Sequence, residues 1–180
     1  MKYIKNLFVD EGKKENGFTI IELLVVFSLM AFITSLGIVS FVSYSRAQSI
    51  TQSVNQAKLI IQEAKFNALS SVKPSKTPDG TIIDCSVGTL TGYQVAVVLA
   101  TGELKLFLLC SSSAQPIFLK TVKLADNITF ESILTTCTII NFDSLTSQAS
   151  GSPLPCDLVI KGYNMQKKLT IDLGGNITVQ

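Results

Sequence analysis

Residues 18–42 read FTIIELLVVFSLMAFITSLGIVSFV, an apolar stretch in which Glu22 is the one ionisable side chain. As a helix at ~1.5 Å per residue, this stretch would extend about 37 Å, and the hydrocarbon core of a bilayer is about 30 Å thick. The stretch therefore predicts a single membrane-spanning helix. Residues 1–17 carry four lysines against three acids, which favours a cytoplasmic N-terminus and an extracytoplasmic C-terminal domain.

A secretory signal peptide is the competing interpretation of the same stretch. Such peptides have an apolar core of roughly 7–15 residues, followed by a cleavage site of small residues. The stretch here is longer, and no A-x-A-like site follows it. A single-pass anchor in the cytoplasmic membrane is therefore the favoured interpretation.

The composition excludes most designs of enzyme active site. The chain of 180 residues has no histidine, so a Ser-His-Asp or Cys-His nucleophile and a histidine-ligated metal are not available. We therefore expect no catalysis and no cofactor. The net charge of +2 gives no general reason to expect nucleic acid. Lys161, Lys167 and Lys168 could form a basic patch for DNA, although three lysines near a strand end usually form a solvated surface.

The junction between the polar segment and the apolar stretch reads GFTIIELLVV, from Gly17 to Val26. It resembles the leader-cleavage signal of type IV pilins and type II secretion pseudopilins. The resemblance implies that a prepilin peptidase cuts after Gly17, and that the new N-terminal residue, Phe18, becomes methylated. It also implies that residues 1–17 are a leader and that the mature chain assembles with other pilin or pseudopilin subunits through its N-terminal helix.

Glu22 takes the fifth mature position, where this family carries an acidic residue. A carboxylate in an apolar helix costs ~2.5–3.5 kcal/mol near the bilayer centre and less near an interface. In the family, the proposed partner is the amino terminus of a neighbouring subunit, here that of Phe18, which would make Glu22 an assembly residue. The alternative is that Glu22 lies among lipid headgroups as an acid favoured by the helix dipole.

An amphipathic pattern continues beyond the apolar stretch to about residue 71. Residues 18–71 therefore predict one long helix, in which 18–42 spans the membrane and 43–71 has one face to cover. Pro74 and Pro78 are expected to end it. The apolar face recurs at spacings of three and four, at Ile50, Val54, Ala57, Ile61, Ala64 and Ala68.

Residues 72–180 predict an antiparallel β domain. Two apolar strands, 93–99 and 104–109, are joined by a turn with Gly102, and a final hairpin turns at Gly174 and Gly175. The small, polar stretch 144–155 is expected to be a connecting loop. The predicted fold class is α+β, with the long helix packed on the β domain. Further strands are expected at 117–124, 128–133, 138–143 and 156–161.

The four cysteines, Cys85, Cys110, Cys137 and Cys156, all lie in the β region. An even number of cysteines in an exported domain favours two disulfides. The preferred pairing joins Cys85 to Cys110 and Cys137 to Cys156, because each pair brackets a loop or hairpin, and the other two pairings stay open. Free buried thiols and a zinc site are alternatives, although the short spacing typical of zinc ligands is missing.

The resemblance implies a structural subunit of a type IV pilus or a type II secretion pseudopilus. The strand at 140–142 and the short final hairpin resemble the H-type minor pseudopilin and its pilus counterparts, which implies a minor subunit. Such a subunit waits in membrane lipid before it joins a filament. The alternative is a membrane-anchored extracytoplasmic binding module that never joins one.

Overall fold

The computed structural model describes residues 17–77, 80, 85, 88–113, 115–146 and 148–180. Within them the chain forms one helix, α1 (Ile20–Leu69), and nine strands. The boundary between two compact units falls between Val42 and Ser43. The strands are β1 (Leu90–Val98), β2 (Glu103–Cys110), β3 (Ile117–Lys123), β4 (Ile128–Phe130), β5 (Ile139–Asp143), β6 (Ala149–Gly151), β7 (Cys156–Gly162), β8 (Met165–Ile171) and β9 (Ile177–Val179).

The strands of the second unit form two antiparallel sheets. One has the order β3-β2-β1-β5-β6, and the other has the order β4-β7-β8-β9. The predicted β1–β2 and β8–β9 hairpins are confirmed, and in the last one Leu169 lies opposite Val179 and Ile171 opposite Ile177. The α+β fold class, with one long N-terminal helix and an antiparallel β domain, is therefore confirmed.

The C-terminus of α1 is set by a left-handed residue. Ser71 has a φ of 50° and its backbone nitrogen donates to the carbonyl of Ala68 at 3.2 Å, while the nitrogen of Val72 donates to that of Asn67 at 3.1 Å. These two bonds are a Schellman motif. The expectation that prolines end the helix is wrong for Pro74, because α1 has already ended at Leu69, before that proline. Pro78 lies outside the described residues.

The polar stretch 144–155 contains a strand where a loop was expected. β6 pairs with β5, and the buried Ser152 fixes it there. The Oγ of Ser152 accepts from the backbone nitrogens of Thr138 (2.9 Å) and Ile139 (3.0 Å) and donates to the carbonyl of Ile139 (2.8 Å). The residues of β6 have low strand propensity, so these bonds to a neighbouring strand account for the strand.

Two further strand predictions differ from the structure. The expected strand at 128–133 is only three residues long, as β4, because Glu131 begins a turn in which the nitrogen of Thr135 donates to its carbonyl at 2.9 Å. β8 begins at Met165, earlier than the final alternation indicated, and forms a two-residue hairpin with β7. Tyr163 and Asn164 occupy this turn with φ values of 52° and 61°, as a type I′ turn requires.

The core lies where the second part of α1 meets both sheets. All six residues of the predicted apolar face are at most 2% exposed, and they form one hydrophobic core with inward-facing residues of the strands. Side-chain bonds add to this packing. Glu63 pairs with Lys120 of β3, and the Nζ of Lys65 donates to the carbonyl of Gly174 in the β8–β9 turn at 2.8 Å. The helix is thus bonded to both sheets.

Candidate processing and assembly segment

Gly17 and Phe18 precede α1 and are exposed. The side chain of Phe18 is 81% exposed, and a Cβ added at Gly17 would meet nothing within 4 Å. Packing within the described chain therefore gives no reason for a glycine before Phe18. The rest of the predicted leader, residues 1–16, lies outside the described residues.

Thr19 caps the N-terminus of α1. Its carbonyl accepts from the backbone nitrogen of Leu23 at 3.2 Å, and its Oγ1 accepts from the backbone nitrogen of Glu22 at 3.3 Å. Thr19 and Glu22 have the spacing of a capping box, in which an acid stands three residues after the cap. Glu22 is exposed in the first turn, and among the residues that the structure describes no lysine or arginine pairs with it. Its carboxylate is thus placed for the helix dipole and is accessible to a partner.

The apolar side chains of the first unit are uncovered by the chain itself. The large ones with described burial between Phe18 and Val42 are 39–86% exposed. Within the described part of the chain, α1 is the one helix long and apolar enough to cross a membrane, judged by length and composition. Because exposing so many apolar side chains to water is unfavourable, this surface favours apolar surroundings.

Hydroxyl groups within the apolar stretch bond to the helix backbone. Ser28 donates to the carbonyl of Val25 (2.8 Å), and Thr34 donates to that of Met30 (2.6 Å). Ser35 makes the same kind of bond one turn back. A polar group without a partner is costly in hydrocarbon. These bonds make the hydroxyl groups compatible with an apolar environment, although Ser49 and Thr51, beyond the apolar stretch, make the same kind of bond.

The structure joins Cys85 to Cys110 and Cys137 to Cys156, which is the pairing that the sequence favoured. The Cα–Cα distances are 6.0 and 5.2 Å. Both bonds lie in the second unit, and the second joins the segment before β5, in one sheet, to β7, in the other. With all four thiols paired, neither a zinc site nor free thiols describes these cysteines.

The three lysines proposed for DNA do not form one unpaired patch. Lys161 pairs with Glu131 at 2.6 Å, and Lys168 pairs with Asp157 at 3.4 Å. Lys167 is adjacent to Lys168 on β8, so the two side chains point to opposite faces of the sheet. Contact with DNA stays a prediction, and these pairs do not favour it.

One contact at the start of the second unit was not predicted. The guanidinium carbon Cζ of Arg46 lies over the ring of Tyr163, 5.5 Å from its centre. The two residues are far apart in the sequence, and no local pattern connects them. The sequence identifies Arg46 only as the first charged residue after the apolar stretch.

Comparison with known families bears on the N-terminal part of the chain. A family model described as the prokaryotic N-terminal methylation motif matches residues 12–38. The match includes the Gly17–Phe18 junction, Glu22 and most of the apolar stretch. No curated protein and no solved structure was found to match the chain. The chain therefore carries the prokaryotic N-terminal methylation motif, the leader signature of type IV pilins and pseudopilins.

Proposed function

We propose that this chain is a minor structural subunit of a type IV pilus or a type II secretion pseudopilus. The observation that carries the proposal is the methylation motif placed directly before a helix whose apolar side chains the chain leaves exposed. A helix with this surface requires a partner, and lipid and neighbouring helices are the two partners that a pilin-like subunit meets in turn. The likeness of the strand at 140–142 and of the final hairpin to the H-type pseudopilins supports the minor role.

In this proposal, a prepilin peptidase cuts between Gly17 and Phe18 and Phe18 is then methylated on its amino group. Residues 1–17 are the leader, 18–42 cross the cytoplasmic membrane, and 72–180 form the extracytoplasmic domain. Two points support this arrangement. First, a Cβ added at Gly17 would meet nothing within 4 Å, so recognition by the peptidase, rather than packing, would account for a glycine there. Second, disulfides persist in the oxidising compartment outside the cytoplasm.

Assembly is then a transfer of α1 from lipid to a bundle of like helices. Glu22 would pair with the amino terminus of Phe18 of a neighbouring subunit. A charge pair shielded from water has a strong attraction, and it also has a large penalty when one partner is missing. The pair would therefore fix the axial position of each arriving helix, because any other position leaves a charge unpaired.

Intact-mass analysis of protein extracted from membranes tests the processing step. We expect loss of residues 1–17 and the addition of one methyl group on Phe18. The matched control is Gly17→Leu, which we expect to keep the leader because a bulky side chain replaces the glycine at the cut. A stable N-terminus at Met1 in cells that contain the peptidase would contradict the proposal.

Substitution of Glu22 tests assembly separately from anchoring. For Glu22→Ala and Glu22→Gln, we expect unchanged membrane abundance and a severalfold lower ratio of subunit in sheared filaments to subunit in membranes. Ser28→Ala is the matched control, since it removes a polar group from the same stretch without removing a charge. An unchanged ratio, with cleavage verified in every variant, would favour the anchored binding module instead.

A further inference from the structure

Arg46 presents an unpaired cation just beyond the apolar stretch. It is the first charged residue after Glu22, it is exposed, and its guanidinium lies 5.5 Å from the centre of the Tyr163 ring. Within the part of the chain that the structure describes, no carboxylate pairs with it. A guanidinium that lies over a ring can still use its N–H groups as donors, and their fork geometry fits the oxygens of a phosphate.

Tyr163 has an unfavourable backbone conformation, and burial of its side chain does not compensate for the cost. Its φ of 52° is at the first position of a type I′ turn, where glycine, asparagine and aspartate are preferred. A non-glycine residue in this region costs of order 1–3 kcal/mol and is frequent at functional sites. Yet the side chain remains 37% exposed, and its Oη donates a long bond of 3.4 Å to the carbonyl of Asp126.

The length of the chain limits how far this turn can lie from the membrane. Arg46 follows Val42 by four residues within the continuous helix α1, which is a rise of about 6 Å. The headgroup region extends about 5–8 Å beyond the hydrocarbon core on each side of a bilayer. If 18–42 crosses the membrane and Val42 lies at the edge of the hydrocarbon core, the roughly 6 Å of helix that follows places Arg46 within the headgroup region, with Tyr163 beside it.

We propose that Arg46, which lies over the ring of Tyr163, binds the phosphate groups of phospholipids and holds the β7–β8 turn at the membrane surface. The proposal rests on the membrane anchoring proposed above. Tyr44, two residues before Arg46, is 69% exposed and adds a second tyrosine at the same depth. Tyrosine is enriched at both membrane–water interfaces, and the long side chain of arginine lets its charged end reach the headgroups while its stem lies along apolar surface.

Lipid is favoured over a neighbouring subunit as the occupant of this site. At headgroup depth the phosphodiester is the anion present in every lipid molecule, whereas a protein carboxylate would have to be brought there. A subunit that waits for assembly is also surrounded by lipid on all sides. The site would therefore hold the β7–β8 turn at the membrane surface before any neighbour arrives.

The chain has no tryptophan, so Tyr163→Trp supplies a single fluorescent reporter and keeps an aromatic ring beneath Arg46. The full-length variant is reconstituted at low density in phosphatidylcholine–phosphatidylglycerol vesicles that contain lipids brominated near the headgroup. We expect severalfold stronger quenching than for Phe118→Trp. Phe118 is also an exposed aromatic residue, and it lies on β3 near Lys120. Lys120 pairs with Glu63, which is 17 positions further along α1 than Arg46, so this reporter is expected to lie further from the headgroups.

Arg46→Gln in the reporter background tests the cation. We expect quenching to fall to the level of the control while co-sedimentation with the vesicles, which measures anchoring, is unchanged. Equal quenching of both reporters in co-sedimenting protein would overturn the lipid site and leave the anchoring intact. If brominated lipid leaves the tryptophan fluorescence unchanged, but that fluorescence depends on protein density, Arg46 would be assigned to a contact with a neighbouring subunit. That result would also overturn the lipid site. Protein that does not co-sediment would overturn the anchoring, and this inference with it.

Discussion

Replacing Ile61 by alanine would test whether the second part of α1 is an integral part of the β domain. Ile61 is 0% exposed and belongs to the core that α1 shares with both sheets. The substitution removes three carbon atoms, which at ~0.8 kcal/mol each costs about 2.4 kcal/mol of transfer free energy. The cavity adds to this loss, and the higher helix propensity of alanine reduces it by about 0.4 kcal/mol. We expect the free energy of unfolding to fall by about 3 kcal/mol.

The assay is urea unfolding of residues 43–180, which form one compact unit, followed by circular dichroism in the far ultraviolet. With a slope near 2 kcal/mol/M, the midpoint should fall by about 1.5 M. Gln62→Ala is the matched control, because it changes the next residue on the exposed side of the helix. Its free energy of unfolding should stay within about 0.5 kcal/mol of the unchanged protein.

Equal midpoints for the two variants would refute the reasoning, since the apolar face would then contribute nothing to the domain. Loss of helical signal at lower urea than loss of strand signal would refute it in another way. That result would show that the helix leaves a domain that is stable without it.

Three further predictions concern the β domain. Replacing both Cys137 and Cys156 by serine should lower the free energy of unfolding by about 3 kcal/mol, because the bond closes a loop of 19 residues; a loss under about 1 kcal/mol in urea unfolding would contradict this. Burial raises the pKa of Tyr93 to about 12, so the folded state keeps a proton that the unfolded chain loses. Stability should be complete below about pH 10 and should decrease towards pH 12, and Tyr93→Phe should remove this alkaline decrease in urea midpoints measured across the range. Ser152→Ala should cost about 1–3 kcal/mol and speed hydrogen exchange along β5, whereas the exposed Ser150→Ala should do neither.

The parts of the fold that were predictable are those set by local periodicity. The buried face of α1 follows from apolar spacing within the helix itself, and the hairpins follow from alternation around turn residues. Ser71 shows the limit of this reasoning. Prolines are a visible stop signal, but the helix ends earlier because one serine takes a left-handed conformation, and many residue types can do so at some cost.

The contacts that escaped prediction depend on residues far apart in sequence. β6 exists because Ser152 bonds to the edge of β5, and Arg46 meets Tyr163 across most of the chain. The candidate site divides in the same way. The Gly17–Phe18 junction is a linear signal and can be read directly, whereas the proposed partner of Glu22 belongs to another molecule.

The cysteine cross-links of the second unit have a mechanical consequence, because all four cysteines follow α1 in the chain. No disulfide therefore ties α1 to the sheets, so a pull on its N-terminal end is resisted first by noncovalent contacts and is carried by the backbone between α1 and β1 only after these contacts break. The buried face from Ile50 to Ala68 extends along about 27 Å of helix. Tension along the helix axis would strain these contacts simultaneously, in shear, whereas force across the axis would separate them in succession. If the chain assembles into a filament as proposed, that filament should resist stretching far better than it resists the peeling of a single domain from its helix.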